Sequence, residues 1–340
     1  MSTISQSDGP SPVLFFQTAT AHMRTAALKT AVELDLFTGI GEGNQTPETL
    51  AIRCGVSQRG IRMLLDYLTI AGFLTKQPKG YGLTKDSEIF LTKESPAYLG
   101  AALEFMLSAP LVEGAKNLTG AVRKGGTVVS EEGTTAPEHP EWVTFARSMV
   151  PLMKGPAEWI AHWVSQQTPN TRKVLDVAAG HGMFGVEIAK KVPQAQIMAQ
   201  DWANVLTVAQ ETAEAAGVID RFRTLPGNVF DVDLGEGYDL VLLTNFLHHF
   251  DEATCETLLN KIHGTLSDGG KIITLEFIPN EDRISPPEMA EFCLIMLTTT
   301  PAGDAYTFSE YQRMFQNTGF SQSEMYDVPG SNQRAIITQK

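Results

Sequence analysis

The sequence is short of the features that mark several protein classes. Its three cysteines, Cys54, Cys255 and Cys293, lie far apart with no Cys-x-x-Cys spacing. That argues against a disulfide scaffold or a metal site and points to reduced, partly buried thiols in a cytoplasmic protein. No apolar run reaches the roughly 18 residues a membrane helix needs. The opening MSTISQSDGPSP lacks the basic-then-apolar order of a signal peptide. Basic residues are also scarce: 26 Lys and Arg against 39 Asp and Glu leave a net charge of −13, the wrong sign for a nucleic-acid-binding face. Apolar residues are plentiful, at 43% of 340, which suits two domains of roughly 150 residues each.

Residues 1–12 read as a disordered lead-in. Over residues 14–36 apolar side chains recur at helical spacing. Thr46-Pro47-Glu48 then opens a helix that ends at Gly55, and Ser57 caps a second that ends near Gly72. Residues 73–75 and 81–83 flank a KQPKG turn as a small hairpin. Helix, turn, helix and hairpin make a winged helix, which serves either DNA recognition or packing. The second helix is largely apolar and offers only Arg59 and Arg62 to phosphates, with Asp66, Asp86 and Glu88 nearby. Packing is favoured. The apolar helix ahead of it has more hydrophobic surface than one small domain needs, which points to a homodimer interface. Residues 98–167 read as mostly helical around a polar loop at 124–140. They carry a stripe of Phe145, Met149, Met153 and Trp159 that is core, ligand wall or both.

From Lys173 strands and helices alternate, the pattern of a parallel sheet covered on both faces. Strands are expected at 173–178, 196–200, 222–225, 238–244 and 271–277, with helices at 183–192, 203–217 and 251–266 between them. After a helix at 309–318, runs at 322–328 and 334–338 form a closing antiparallel hairpin around Pro329-Gly330-Ser331-Asn332. Residues 173–185, KVLDVAAGHGMFG, are a strand that breaks into a small-residue turn and restarts as a helix. Such turns bring backbone N–H groups to a ligand. Gly180-x-Gly182-x-x-Gly185 formally fits a dinucleotide fingerprint, a weak signal alone. Asp201 ends the second strand 19 residues beyond Gly182, where an acid either holds a ribose or caps the next helix. Gly227-Asn228-Val229-Phe230 follows the third strand and suits a purine. Together these residues imply an adenosine. Beside it lie His248 and His249, candidate general bases, and Glu276 at the end of the fifth strand, which can orient an imidazole. Adjacent histidines without a third ligand do not make a metal site.

The ordered set VLDVAAGHG, AQDWANV, GNVF, NFLHHFDE and GGKIITLEFIP resembles the motif series of class I S-adenosylmethionine-dependent methyltransferases. The whole chain from about Leu14 is similar to small-molecule O-methyltransferases with an N-terminal winged-helix dimerisation domain, the caffeic acid, acetylserotonin and polyketide-tailoring group. The separations from Asp176 to Asp201 (201 − 176 = 25) and from His248 to Glu276 (276 − 248 = 28) suit that family. The resemblance implies an α/β fold: a Rossmann-like seven-stranded sheet with a C-terminal antiparallel hairpin, plus a mainly α-helical winged-helix domain. It divides the chain into residues 1–12, a dimerisation domain at 13–100, a helical linker contributing to the substrate pocket at 101–168, and a catalytic domain at 169–340.

It also implies S-adenosylmethionine as cofactor, released as S-adenosylhomocysteine, and transfer to a hydroxyl of a small aromatic or polyketide-like acceptor. His248 falls on the family's catalytic base and Glu276 on its acidic partner. Asp176, Ala178, Gly180, Gly182, Asp201, Trp202, Asn228 and Val229 fall on cofactor positions. Phe145, Met149, Met153, Phe292 and Met296 are expected to line the acceptor pocket, and no metal is expected. The chain departs from the pattern at Ala178 and Ala179, which replace glycines and leave room for the ligand only if φ stays negative. Asn228 replaces an acid but still offers a hydrogen bond to the adenine amine. His249 replaces an Asp, and Asp304 is the only acid near the family's second carboxylate position. C- or N-methylation or a non-methylating reaction on the same fold, a nicotinamide oxidoreductase and a DNA-binding regulator are the competing readings.

Overall fold

The computed structural model describes residues 9–136, 138, 139 and 141–340, so most of the expected lead-in lies outside the described residues. The chain divides into two compact units, one ending at Leu103 and the other spanning Glu104–Lys340.

The first unit is helical with one hairpin. The periodic stretch is broken into α1 (Val13–Ala19), α2 (Ala21–Glu33) and α3 (Leu36–Gly41), with Asp35 in the left-handed region at φ 53°. α1 buries none of its residues; Leu14 and Phe15 are 74% and 69% exposed. α4 (Pro47–Cys54) starts where the Thr46 side chain accepts the Thr49 N–H, and stops at left-handed Gly55. α5 (Gln58–Ile70), capped by Ser57, turns Ile61, Leu65 and Leu68 onto Leu36, Phe37 and Leu50. β1 (Leu74–Gln77) and β2 (Gly80–Leu83) pair antiparallel around Pro78-Lys79, and α6 (Lys85–Leu91) follows. Arg62 of α5 is paired with Asp66, which also takes Lys76. The charge of Arg62, one of the two arginines a DNA reader would use, is neutralised within the unit.

α7 (Ala102–Met106) runs across the division. The second unit continues with α8 (Ala109–Lys116), α9 (Leu118–Lys124), α10 (Glu141–Ser148) and α11 (Val150–Gln167). β3 (Lys173–Val177), α12 (Met183–Lys191), β4 (Gln196–Asp201), α13 (Ala203–Ala215), β5 (Phe222–Pro226), β6 (Tyr238–Thr244), α14 (Glu252–Thr265) and β7 (Leu266–Glu276) then alternate. α15 (Pro287–Ala290), α16 (Phe292–Thr299), α17 (Phe308–Asn317), β8 (Gln322–Asp327) and β9 (Arg334–Gln339) close the chain. The seven strands lie in the order β5-β4-β3-β6-β7-β9-β8. The first five are parallel, and β9 runs antiparallel to both β7 and β8.

The central strands read as apolar runs because both of their faces are covered. Val174, Leu240, Leu242 and Ile273 pack under α11, α12 and α13, while Leu175, Val241, Leu243 and Ile272 pack under α14 and α17. Each such side chain contributes roughly 1.5–3 kcal/mol by leaving water. β7 begins five residues before the expected start at 271 because the pairing with β6 resumes across an irregularity: Tyr238 faces Leu266, then Leu240 faces Lys271. Strand order reverses between β3 and β6, and a ligand crevice forms at the carboxyl ends of strands where that happens.

Candidate active site

The turn after β3 is built from left-handed residues: Ala178 (φ 51°), Gly180 (φ 56°) and Gly182 (φ 70°). The condition set for Ala178, a negative φ, is therefore not met, yet the residue still lines the cavity above the turn. An L-residue there costs about 1–2 kcal/mol. The turn is held by hydrogen bonds from Ala179 N–H to the Gln200 carbonyl (3.0 Å) and from Gly180 N–H to Asp201 Oδ2 (2.8 Å). The three glycines differ in purpose. A Cβ on Gly180 would meet nothing nearer than the Ala178 carbonyl oxygen at 3.9 Å, so the backbone there is open to a ligand. A Cβ on Gly182 would stand 2.8 Å from Ala209 Cβ, and one on Gly185 2.6 Å from Ile197 Cγ2. Those two allow helix packing. His181 turns inward, its Nδ1 accepting the Met183 N–H at 3.1 Å, and burial lowers the imidazole to about 4, so it takes the first N–H of α12 in neutral form.

Two acids support the turn. Asp176 is fully buried below it, with Oδ2 accepting the Gly185 N–H at 3.1 Å and Oδ1 without a partner among the described residues. Burial pushes its carboxyl up to about 8. Asp201 accepts Gly180 N–H through Oδ2 and Trp202 N–H (2.7 Å) through Oδ1, and burial raises it to about 6. The helix-cap alternative for Asp201 does not hold, since Trp202 occupies the N-cap of α13.

Above this turn lies a cavity of about 280 Å³. It brings together Ala178, Gly180, Asp201, Trp202, Asn228 and Val229, all expected on a cofactor. Asp176 and Gly182 do not line it; the first braces the turn from below and the second packs on α13. Asn228 turns its polar atoms into its own turn, Oδ1 accepting the Phe230 N–H (3.1 Å) and Nδ2 donating to Asp231 (2.9 Å). One lone pair of Oδ1 stays available to an amine.

The two histidines lie on a short 3-10 turn, Leu247–His249, and face different surroundings. His248 is buried, with Nδ1 hydrogen-bonded to Glu276 Oε2. Glu276 Oε1 accepts the N–H groups of Phe246 and Leu247, each at 2.9 Å. The ring of Phe292 meets His248 edge-on at 4.9 Å and stacks on Phe277 at 4.0 Å. His249, 4.3 Å from His248 between ring centres, lines the cavity and meets Trp142 at 5.2 Å. Burial, then its neighbour His248, holds the His249 imidazole well below its usual range. Asp304 pairs with Arg283 at 3.3 Å and accepts the Ala305 N–H, so among the described residues the His248 clamp has one carboxylate.

Of the expected acceptor residues, Phe145 lines the cavity and Phe292 covers His248. Met149, Met153 and Met296 do not line it. The apolar stripe of α11 faces the core above α12, where Met153 is buried and Met149 packs, and Met296 is buried within α16. Sequence reading missed Trp142, Gln200, Asn245, Phe246, Phe250 and the Thr134-Thr135 pair as lining residues. Asn245 carried the clearest signal: it directly follows an apolar strand and precedes the histidines.

The O-methyltransferase domain family matches residues 164–321, and the O-methyltransferase dimerisation domain family matches residues 16–93. A crystal structure from Nostoc punctiforme, described as a candidate O-methyltransferase, is 53% identical, with a TM-score of 0.96 over 98% of this chain and all of that one. The chain belongs to the O-methyltransferase family. Among relatives of this O-methyltransferase, 3-hydroxy-5-methyl-1-naphthoate 3-O-methyltransferase of Streptomyces sahachiroi is 27% identical, covering 94% of this chain and 93% of its own. Human N-acetylserotonin methyltransferase, solved with S-adenosylmethionine, shares the fold at 23% identity, with a TM-score of 0.85 over 99% of both chains. This O-methyltransferase uses S-adenosylmethionine, as its family does. Family membership removes the oxidoreductase and DNA-regulator alternatives.

Proposed function

We propose that this O-methyltransferase moves a methyl group to a hydroxyl of an aromatic or polyketide-derived metabolite, with His248 as general base. The observation that carries the reading is the Glu276–His248 pair, which fixes Nδ1 and leaves Nε2 without a hydrogen bond from any described residue. The cavity residues fit the donor. Open backbone at Gly180 suits its methionine portion, Asp201 offers carboxylate oxygens to a ribose, and Asn228 and Val229 form a wall for a purine. When bound, S-adenosylmethionine supplies a methyl already activated on a sulfonium. The chain has to align the two partners, which alone is worth roughly 7–11 kcal/mol, and to remove a proton. His248 Nε2 takes the hydroxyl proton, Glu276 stabilises the resulting imidazolium, and the step contributes about 10²–10⁴-fold.

The stacked pair Phe277–Phe292 and the ring of Phe145 are flat apolar surfaces that suit an aromatic acceptor. Relatives named for a hydroxynaphthoate and for tetracenomycin support that class. Residues 101–168 supply Phe145, Trp142, Thr134 and Thr135 to the site. Two copies join through the exposed apolar surface of the first unit, α1 included. Three free cysteines suit a reducing compartment, the cytoplasm. No helix among the described residues is long and apolar enough to cross a membrane. The test is calorimetric titration with S-adenosylhomocysteine, followed by mass spectrometry of phenolic acceptors incubated with methyl-labelled donor. Saturable binding and label on oxygen support the reading; label on carbon or nitrogen contradicts it.

A further inference from the structure

Lys261 projects from α14 into the loop that follows β5 and gathers three of its carbonyls. Its Nζ lies 2.8 Å from the Val229 oxygen, 3.0 Å from that of Phe230 and 2.7 Å from that of Val232. An ammonium has three N–H donors and no acceptor, so these bonds use all of them on one short loop. No carboxylate pairs with Lys261 among the described residues. The acids of the loop are used otherwise: Asp231 takes Asn228 Nδ2 and Asp233 takes the Gly235 N–H, each at 2.9 Å. A lysine serving as an ion partner would face an acid; this one holds a backbone in shape.

That loop is also one wall of the cavity, through Asn228, Val229 and Phe230. Pinning the carbonyls fixes the planes of the peptides that carry them, because a peptide unit is rigid. The rest of the turn agrees with that setting: Asp231 N–H reaches the Asn228 oxygen at 3.0 Å, and the Phe230 ring meets Phe250 edge-on at 5.4 Å. A loop without regular structure would otherwise be free to shift by the fractions of an ångström that decide binding.

The structure assigns Lys261 as the positioning residue of the purine-side wall: it sets Asn228–Phe230 for the adenosine end of the donor without touching the ligand. The assignment rests on the S-adenosylmethionine reading above. Its test compares wild type with Lys261→Met and Lys261→Gln; the second keeps two donors and answers the question if the first fails to fold. Kd is measured by calorimetry for S-adenosylhomocysteine and for adenosine alone, and kcat and both KM values are measured with a phenolic acceptor. The expected result for Lys261→Met is a loss of about tenfold in affinity, equal for both probes, matching one charge-assisted hydrogen bond. Donor KM rises by the same factor, while acceptor KM and kcat at saturating donor stay within about twofold. Lys261→Gln falls between it and wild type. Unchanged donor affinity in a folded variant overturns the assignment, as does a loss seen with S-adenosylhomocysteine but not adenosine, or a fall in kcat matching a fall in folded fraction. Wild type that binds neither probe overturns the cofactor reading itself.

Discussion

Glu276 holds His248 and, with its other oxygen, the turn that carries it: Oε2 meets His248 Nδ1, and Oε1 accepts the N–H groups of Phe246 and Leu247 at 2.9 Å. One buried carboxylate thus sets both the tautomer of the imidazole and the position of its backbone. Glu276→Gln keeps the shape but removes the charge that stabilises the imidazolium. We expect turnover to fall about 10²-fold with S-adenosylhomocysteine affinity little changed, as read by single-turnover kinetics and calorimetry. Loss of affinity with unchanged turnover would contradict the division of roles.

Asp201 has two separable duties, accepting Gly180 N–H and facing the cavity. Asp201→Ala leaves the Gly180 and Trp202 N–H groups without their carboxylate, so it is expected to lose about 1–3 kcal/mol of stability in urea unfolding and at least tenfold in donor affinity. Asp201→Asn returns an acceptor to Gly180. It should recover most of the stability and less of the affinity.

Asp176 gives the apoprotein a pH dependence of definite sign. The folded carboxyl keeps its proton to about pH 8, against an ordinary value of 3.8. Between those limits the folded state binds more protons than the unfolded one, so stability falls as pH rises through that window. The loss is about 1.4 kcal/mol per pH unit at most. Asp176→Asn mimics the protonated form. Its stability relative to wild type is expected to rise from pH 4 to 8 and level off above, in urea unfolding at stepped pH; a flat difference would contradict the assignment.

Ala178 holds a left-handed backbone at φ 51° where glycine would pay no steric cost. Ala178→Gly should gain about 0.5–1 kcal/mol, the strain relieved less the entropy glycine loses. Urea unfolding measures it. A destabilised variant would show that the methyl group contributes packing that outweighs the strain.

Much of this was legible in the sequence because it rests on local rules. Apolar runs bounded by turn residues marked the strands, Thr46-Pro47 and Ser57 marked helix starts, and their places at or just after strand ends linked Asp201, His248 and Glu276. Features set by packing were not legible. Local pattern left the stripe with Met153 between core and ligand wall, and nothing local says that Gly182 serves Ala209 and not the ligand. Two adjacent histidines on a 3-10 turn look alike in sequence, yet one faces Glu276 and the other the cavity. Ala178 shows the limit most plainly: its residue type argued for negative φ, and hydrogen bonds from the two residues after it to the end of β4 overrule that preference.

The most direct test is the turnover of His248→Ala under single-turnover conditions with methyl-labelled S-adenosylmethionine and a phenolic acceptor that wild type methylates on oxygen. The account predicts S-adenosylhomocysteine binding close to wild type and a rate about 10²-fold lower or more. Transfer at the wild-type rate in a variant that binds the donor normally would contradict it.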